Sequence, residues 1–161
     1  MLKSFSFTAI SRTLAVLALT LGAVQMNAEA ASQKSNISME KALNEAQKII
    51  ATNSNWSVVR GAGESMSPFF SSHSLLLINK STIDSLKNGM IVVYADESGD
   101  LVAHQVVKID ATGVWTKGVN NGSIDPSPVT AKNLAGVVFG TLFTKDNNLN
   151  ASIPTAYGKT Y

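Results

Sequence analysis

The sequence predicts a mostly β fold with one N-terminal helix, and three observations carry that expectation. Short segments rich in Val, Ile and Leu recur between Trp56 and Thr144. Clusters of Gly, Asn, Asp and Ser separate them. Only Met39–Thr52 carries apolar residues at helical spacing.

The first thirty residues differ in kind from the rest. Lys3 and Arg12 give a basic start, Thr13–Val24 is almost all Leu, Ala, Val and Thr, and Ala28-Glu29-Ala30 is a small-x-small pattern before Ala31. That order is the one a secretory signal peptide has, with cleavage expected after Ala30 and an exported, periplasmic or secreted product. The alternative is an uncleaved membrane anchor, although the apolar run is shorter than the ~20 residues a spanning helix needs. Residues 31–55 form the next segment. Ala31–Asn36 is polar, and Ser38 is placed to cap a helix whose Met39, Leu43, Ala46 and Ile50 share one face.

Residues 56–144 then read as a β domain. Strands are expected over Trp56–Arg60, Leu75–Ile78, Met90–Tyr94, Leu101–Ile109, Gly113–Lys117 and Ala135–Thr144. Ser98-Gly99-Asp100 and Thr112-Gly113 look like hairpin tips, which makes the expected sheet an antiparallel meander. Residues 145–161 are polar, Asn-rich and weakly patterned, and are expected to form a tail.

Composition excludes much chemistry. With no cysteine the chain has no disulfide scaffold, thiolate metal site or cysteine nucleophile. Its two histidines form no His-x-x-x-His pair, and neither a metal nor another cofactor is expected. Formal net charge is +2 without a Lys/Arg run, so nucleic acid is not an expected partner.

Three places could carry catalysis. At Gly63-Glu64-Ser65-Met66-Ser67-Pro68 a strand ends in a glycine turn, and Pro68 blocks a helix from opening through Ser67. This presents Ser65 where backbone N–H groups are unpaired; an ordinary polar turn would have the same composition. His104 lies among apolar residues on an expected central strand, where it is either a packed core residue or a general base. Asp125 could orient an imidazole, or simply begin the Asp125-Pro126 turn.

Taken in order, these segments resemble the type I signal peptidases, within the serine-peptidase superfamily that also holds the SOS-repressor autoproteases. Ser65-Met66-Ser67-Pro68 matches the family's Ser-Met-x-Pro nucleophile box. Leu86–Tyr94 looks like its x-x-Gly-Asp-Ile-Val-Val-Tyr strand, and Val102–Val107 like its general-base strand. Thr116–Asn121 is similar to its Lys-Gly-Asp-Asn-Asn segment and Leu134–Val138 to its closing strand, so the likeness spans Gly61–Gly140. His104 stands where most bacterial members have Lys, which resembles the archaeal and endoplasmic-reticulum-like branch.

The resemblance implies a serine endopeptidase acting on exported peptides or proteins. Ser65 is then the nucleophile, His104 the base and Asp125 its orienting carboxylate, with Ser65 and Gly63 as the oxyanion-side backbone. Val119 stands at another position where that branch has an acid, and Gly63 where the family often has a hydroxyl. These departures, with Ser74 in place of a family Asp, motivate the rival expectation of a catalytically inactive exported β domain that binds peptides or proteins. An autoproteolytic repressor fits less well, because no DNA-binding helix pair precedes the box. Phe69-Phe70 leaves contact with a membrane surface open, and oligomeric state has no signature here.

Overall fold

The computed structural model describes residues 35–161, and the expected signal peptide with its cleavage point lies outside the described residues. Among the described residues the one α-helix is α1, Met39–Ile50. Ser38 caps it, its hydroxyl accepting from the Lys41 N–H at 3.3 Å. The helix ends at Ile50, two residues before the expected Thr52, with Ala51 as its C-cap. Met39, Ala42, Leu43 and Ala46 are buried against Val58, Leu75 and Leu77. One amphipathic face therefore docks the helix on the sheet.

Seven strands follow: β1 (Trp56–Ala62), β2 (Ser74–Asn79), β3 (Ile91–Ala95), β4 (Leu101–Asp110), β5 (Gly113–Lys117), β6 (Leu134–Phe143) and β7 (Thr155–Tyr157). The mostly β fold with one N-terminal helix is the observed one. Both expected hairpins form, β3 with β4 and β4 with β5.

The connectivity departs from a simple meander in two respects. β6 returns to lie between β2 and β3. The tail is not merely a tail, because Thr155–Tyr157 enters the sheet as β7 between β1 and β4 and pairs parallel to both. With β3 also paired to β4, strands β3-β6-β2-β1-β7-β4 close into a ring, and β5 extends from β4. The polar composition of 145–161 hid this strand. A three-residue stave needs only one inward side chain, which is Ala156, fully buried.

Strand alternation separates the packing. Val59, Leu76, Ile78, Val93, Ala103 and Ala156 converge with Met66 and Phe70 in one cluster. Val92, Tyr94, Val102, Val106 and Val114 point to the opposite face, where Leu86 and Val129 cover them. His104 has the parity of Val102 and Val106, so it projects on this second face.

Candidate active site

Ser65 sits in the irregular turn that follows β1. Gly63 opens the turn with φ +83, a conformation open to glycine and strained for other residues. The turn carries the Ser67 N–H to Glu64 O bond and the Phe69 N–H to Met66 O bond. Met66 and Phe70 are buried, fixing the turn to the core, while Phe69 is largely exposed. Ser65 itself is only 4% exposed.

His104 lies opposite Val92 in the β3–β4 ladder and is fully buried. Its Nε2 is 3.1 Å from Ser65 Oγ and its Nδ1 is 2.7 Å from Asp125 Oδ2. An ionised carboxylate only accepts, so the proton on the imidazole belongs on Nδ1. Nε2 then keeps its lone pair, and the Ser65 hydroxyl donates to it. The structure thus joins all three residues that the sequence singles out.

Asp125 is 2% exposed. Its Oδ2 accepts from His104 Nδ1, from Tyr94 Oη at 2.8 Å and from Thr116 Oγ1 at 2.6 Å. Burial alone would raise this carboxyl's pKa. The bonds from His104, Thr116 and Tyr94, together with attraction to the imidazole, outweigh it and hold the pKa below the ordinary carboxylate value. The same surroundings push the Tyr94 phenol the other way: burial raises it first, with a further rise from the neighbouring Asp125 charge. Tyr94 therefore stays a neutral donor.

Tyr94 and Thr116 were not among the candidate residues, yet period-two alternation points to both. Tyr94 is two residues from Val92, the cross-strand partner of His104, and Thr116 pairs with Val106, two residues beyond His104. All three side chains consequently share one face.

The Gly118–Asn121 turn braces the serine turn. The Asn120 N–H donates to Ser65 O at 2.8 Å, and its side-chain amide donates to Glu64 O at 3.0 Å and Ser67 O at 3.1 Å. Val119, aligned with a family acid, points its side chain partly to solvent, and its N–H approaches Met66 Sδ at 3.4 Å. It takes no part in the His104 network.

Gly63 differs from its expected role on the oxyanion side. Its N–H donates to Ser72 Oγ at 3.2 Å, so that donor is engaged. The N–H of Ser65 donates to no acceptor among the described residues and stays available for a developing oxyanion. His73, the second histidine, is exposed, and its side chain makes no hydrogen bond to this network.

Together the three side chains can move the Ser65 proton to His104 while Asp125 balances the imidazolium charge. Among the described residues no cluster of His, Cys, Asp and Glu could hold a metal ion, and no helix is long and apolar enough to cross a membrane.

A family model described as Peptidase S24-like matches residues 18–139, most of the chain, with Ser65, Tyr94, His104, Thr116 and Asp125 all inside the match. The match ends before β7. No curated protein and no solved structure matches the chain.

Proposed function

We propose that this chain, which belongs to the Peptidase S24-like family, is a serine endopeptidase with Ser65 as nucleophile, His104 as general base and acid, and Asp125 as the carboxylate that orients His104. The observation that carries the reading is the unbroken buried relay from Ser65 Oγ through both imidazole nitrogens to Asp125 Oδ2. A polar chain of this kind, removed from water, is costly to maintain for packing alone.

In the proposed reaction Ser65 Oγ attacks the substrate carbonyl carbon as its proton passes to His104 Nε2. The Ser65 N–H donates to the resulting oxyanion. The C–N bond then breaks, and His104 returns the proton to the leaving amine. Water, deprotonated by His104, hydrolyses the acyl-enzyme and restores the Ser65 hydroxyl.

The finer part of the proposal concerns substrate and place. The signal-peptidase-like boxes, with His104 in the base position of the Ser-His branch, support cleavage of exported peptides or proteins. The leader pattern before Ala31 supports an exported enzyme.

Treating the purified protein with a serine-directed fluorophosphonate tests the assignment. Wild type is expected to be labelled at Ser65, with labelling abolished in Ser65→Ala and strongly slowed in His104→Ala. Labelling that survives Ser65→Ala, or none in any form including those with an opened cleft described below, sinks the enzyme. The non-catalytic peptide-binding domain would then stand, a reading favoured by the extended segment already lying beside Ser65.

A further inference from the structure

Ser65 and His104 are almost wholly buried, yet a peptidase must admit an extended substrate to them. What covers them is the segment Thr155–Tyr161. β7 lies parallel to β1, with Ala156 opposite Gly61 and Tyr157 opposite Ala62. The chain then crosses Ser65. A β-carbon placed on Gly158 would lie 2.5 Å from Ser65 Oγ, and one placed on Gly63 would lie 2.6 Å from the Gly158 carbonyl oxygen. Two glycines thus meet at the nucleophile, where any side chain on residue 158 would press on the hydroxyl. Farther on, the Tyr161 ring stands edge-on to the His104 imidazole, with centroids 6.1 Å apart.

Most of the grip on this segment is sequence-independent. The Arg60 N–H donates to Pro154 O at 2.9 Å, and the Gly158 N–H donates to Ala62 O at 2.6 Å. Asn121 Nδ2 donates to Lys159 O at 2.8 Å and Ser123 Oγ to Tyr161 O at 3.0 Å. Donors and acceptors that read only main chain suit an extended peptide added as a strand. One side-chain clasp is specific to this segment: Lys159 Nζ pairs with Asp96 and, at 2.9 Å, with Asp100, both in the β3–β4 turn. The segment also lies beyond the residues that match the family.

We infer that Thr155–Tyr161 is an intramolecular mask, which occupies the strand position of a substrate in front of Ser65 and is clasped there by Lys159 on Asp96 and Asp100. The inference deepens the peptidase reading and rests on it for the word substrate. The masking itself is a matter of access and can be tested without catalysis. The Ser65 N–H donates no bond to the Gly158 carbonyl, so the segment fills the cleft without its carbonyl in the oxyanion position. Releasing it would leave a gap between β1 and β4, where an extended peptide could pair.

The chain has no cysteine, so Ser65→Cys supplies a unique thiol whose alkylation by iodoacetamide reports access to position 65. Adding Lys159→Ala or Gly158→Ala to that variant should accelerate alkylation tenfold or more, whereas the exposed Lys132→Ala should not change it. Each variant is first checked for a cooperative melting transition. One that has lost it is replaced by Tyr161→Ala, which removes the ring over His104 and leaves β7 intact. Equal alkylation rates in all folded variants overturn the mask. In the Ser65 protein, Lys159→Ala and Gly158→Ala should accelerate fluorophosphonate labelling in parallel. An unmasked thiol with no serine labelling in any variant keeps the mask and removes the peptidase. Mass spectrometry of the intact wild-type protein supplies the remaining outcome: loss of Lys159–Tyr161 on incubation, absent in Ser65→Ala, would make the segment a substrate in cis and overturn its masking role.

Discussion

Asp125 places one oxygen at the meeting point of three donors, His104 Nδ1, Tyr94 Oη and Thr116 Oγ1, while its other oxygen, Oδ1, is buried without a partner among the described residues. Such an arrangement favours the negative charge on the oxygen that faces the imidazole. It also leaves the carboxylate dependent on those three bonds, because water cannot replace them at this depth.

Asp125→Asn is accordingly expected to lower kcat by a factor on the order of 10³–10⁴ with KM little changed, since the charge matters most as imidazolium forms. Asp84→Asn, in the exposed turn Ile83–Ser85 and without a part in the Asp125 network, should leave kcat unaltered. Steady-state kinetics on a generic peptide, run with the mask opened by Lys159→Ala, compare the variants. An unaltered Asp125→Asn enzyme would reduce the mechanism to a Ser65–His104 dyad.

Stability should depend on pH through the same group. Asp125 has a folded-state pKa below the value of an unfolded aspartate, about 3.9. Its ionised form therefore stabilises the fold in full above that unfolded value. The contribution is lost as pH falls through the lower folded value. Urea unfolding of wild type and Asp125→Asn at pH 7 and at successively lower pH below 4 checks this. The gap in unfolding free energy should be widest at pH 7 and shrink on acidification. A gap constant with pH would mean that Asp125 contributes only shape.

Thr116→Val removes one donor and keeps the side chain's volume. The expected cost is about 1.5–3 kcal/mol at pH 7, the range for hydrogen bonds to charged groups. Because the lost bond lowers the Asp125 pKa, the acid limb of the stability profile should also move to higher pH. Simple packing damage would lower the whole profile without moving that limb, and Thr116→Ser should restore it.

Asn120→Ala tests the brace across the nucleophile turn. Its side chain bonds both Glu64 O and Ser67 O, on either side of Ser65. Loss of both bonds should slow fluorophosphonate labelling about tenfold, in line with the sensitivity of catalysis to small misplacements. Stability should fall by roughly 1–2 kcal/mol. Labelling at the wild-type rate after the same stability loss would show that the turn holds its geometry without Asn120.

Export is checked at the N-terminus. Sequencing of the protein recovered from its natural compartment should begin at Ala31, with the small-x-small pattern removed. A product that keeps Met1 and sediments with membranes would replace the secreted reading with the anchored one.

The sequence by itself determined the fold class, the helix and most strands, because these depend on local periodicity and turn chemistry. Met39, Leu43 and Ala46 share a helical face whatever they pack against, and Ser98-Gly99-Asp100 turns the chain within a few residues. Ser65, His104 and Asp125 were legible for a different reason: residue type and spacing matched known boxes, and each stood out against apolar or turn-forming neighbours. Only the tertiary structure decided how they were served. Tyr94 and Thr116 reach Asp125 through cross-strand register, and Asn120 holds Ser65 across a gap in sequence that no local pattern spans. The same holds for β7. Three weakly patterned residues become a stave because β1 and β4 each present an unpaired edge to them, and a strand paired on both sides through its backbone requires little of its own side chains.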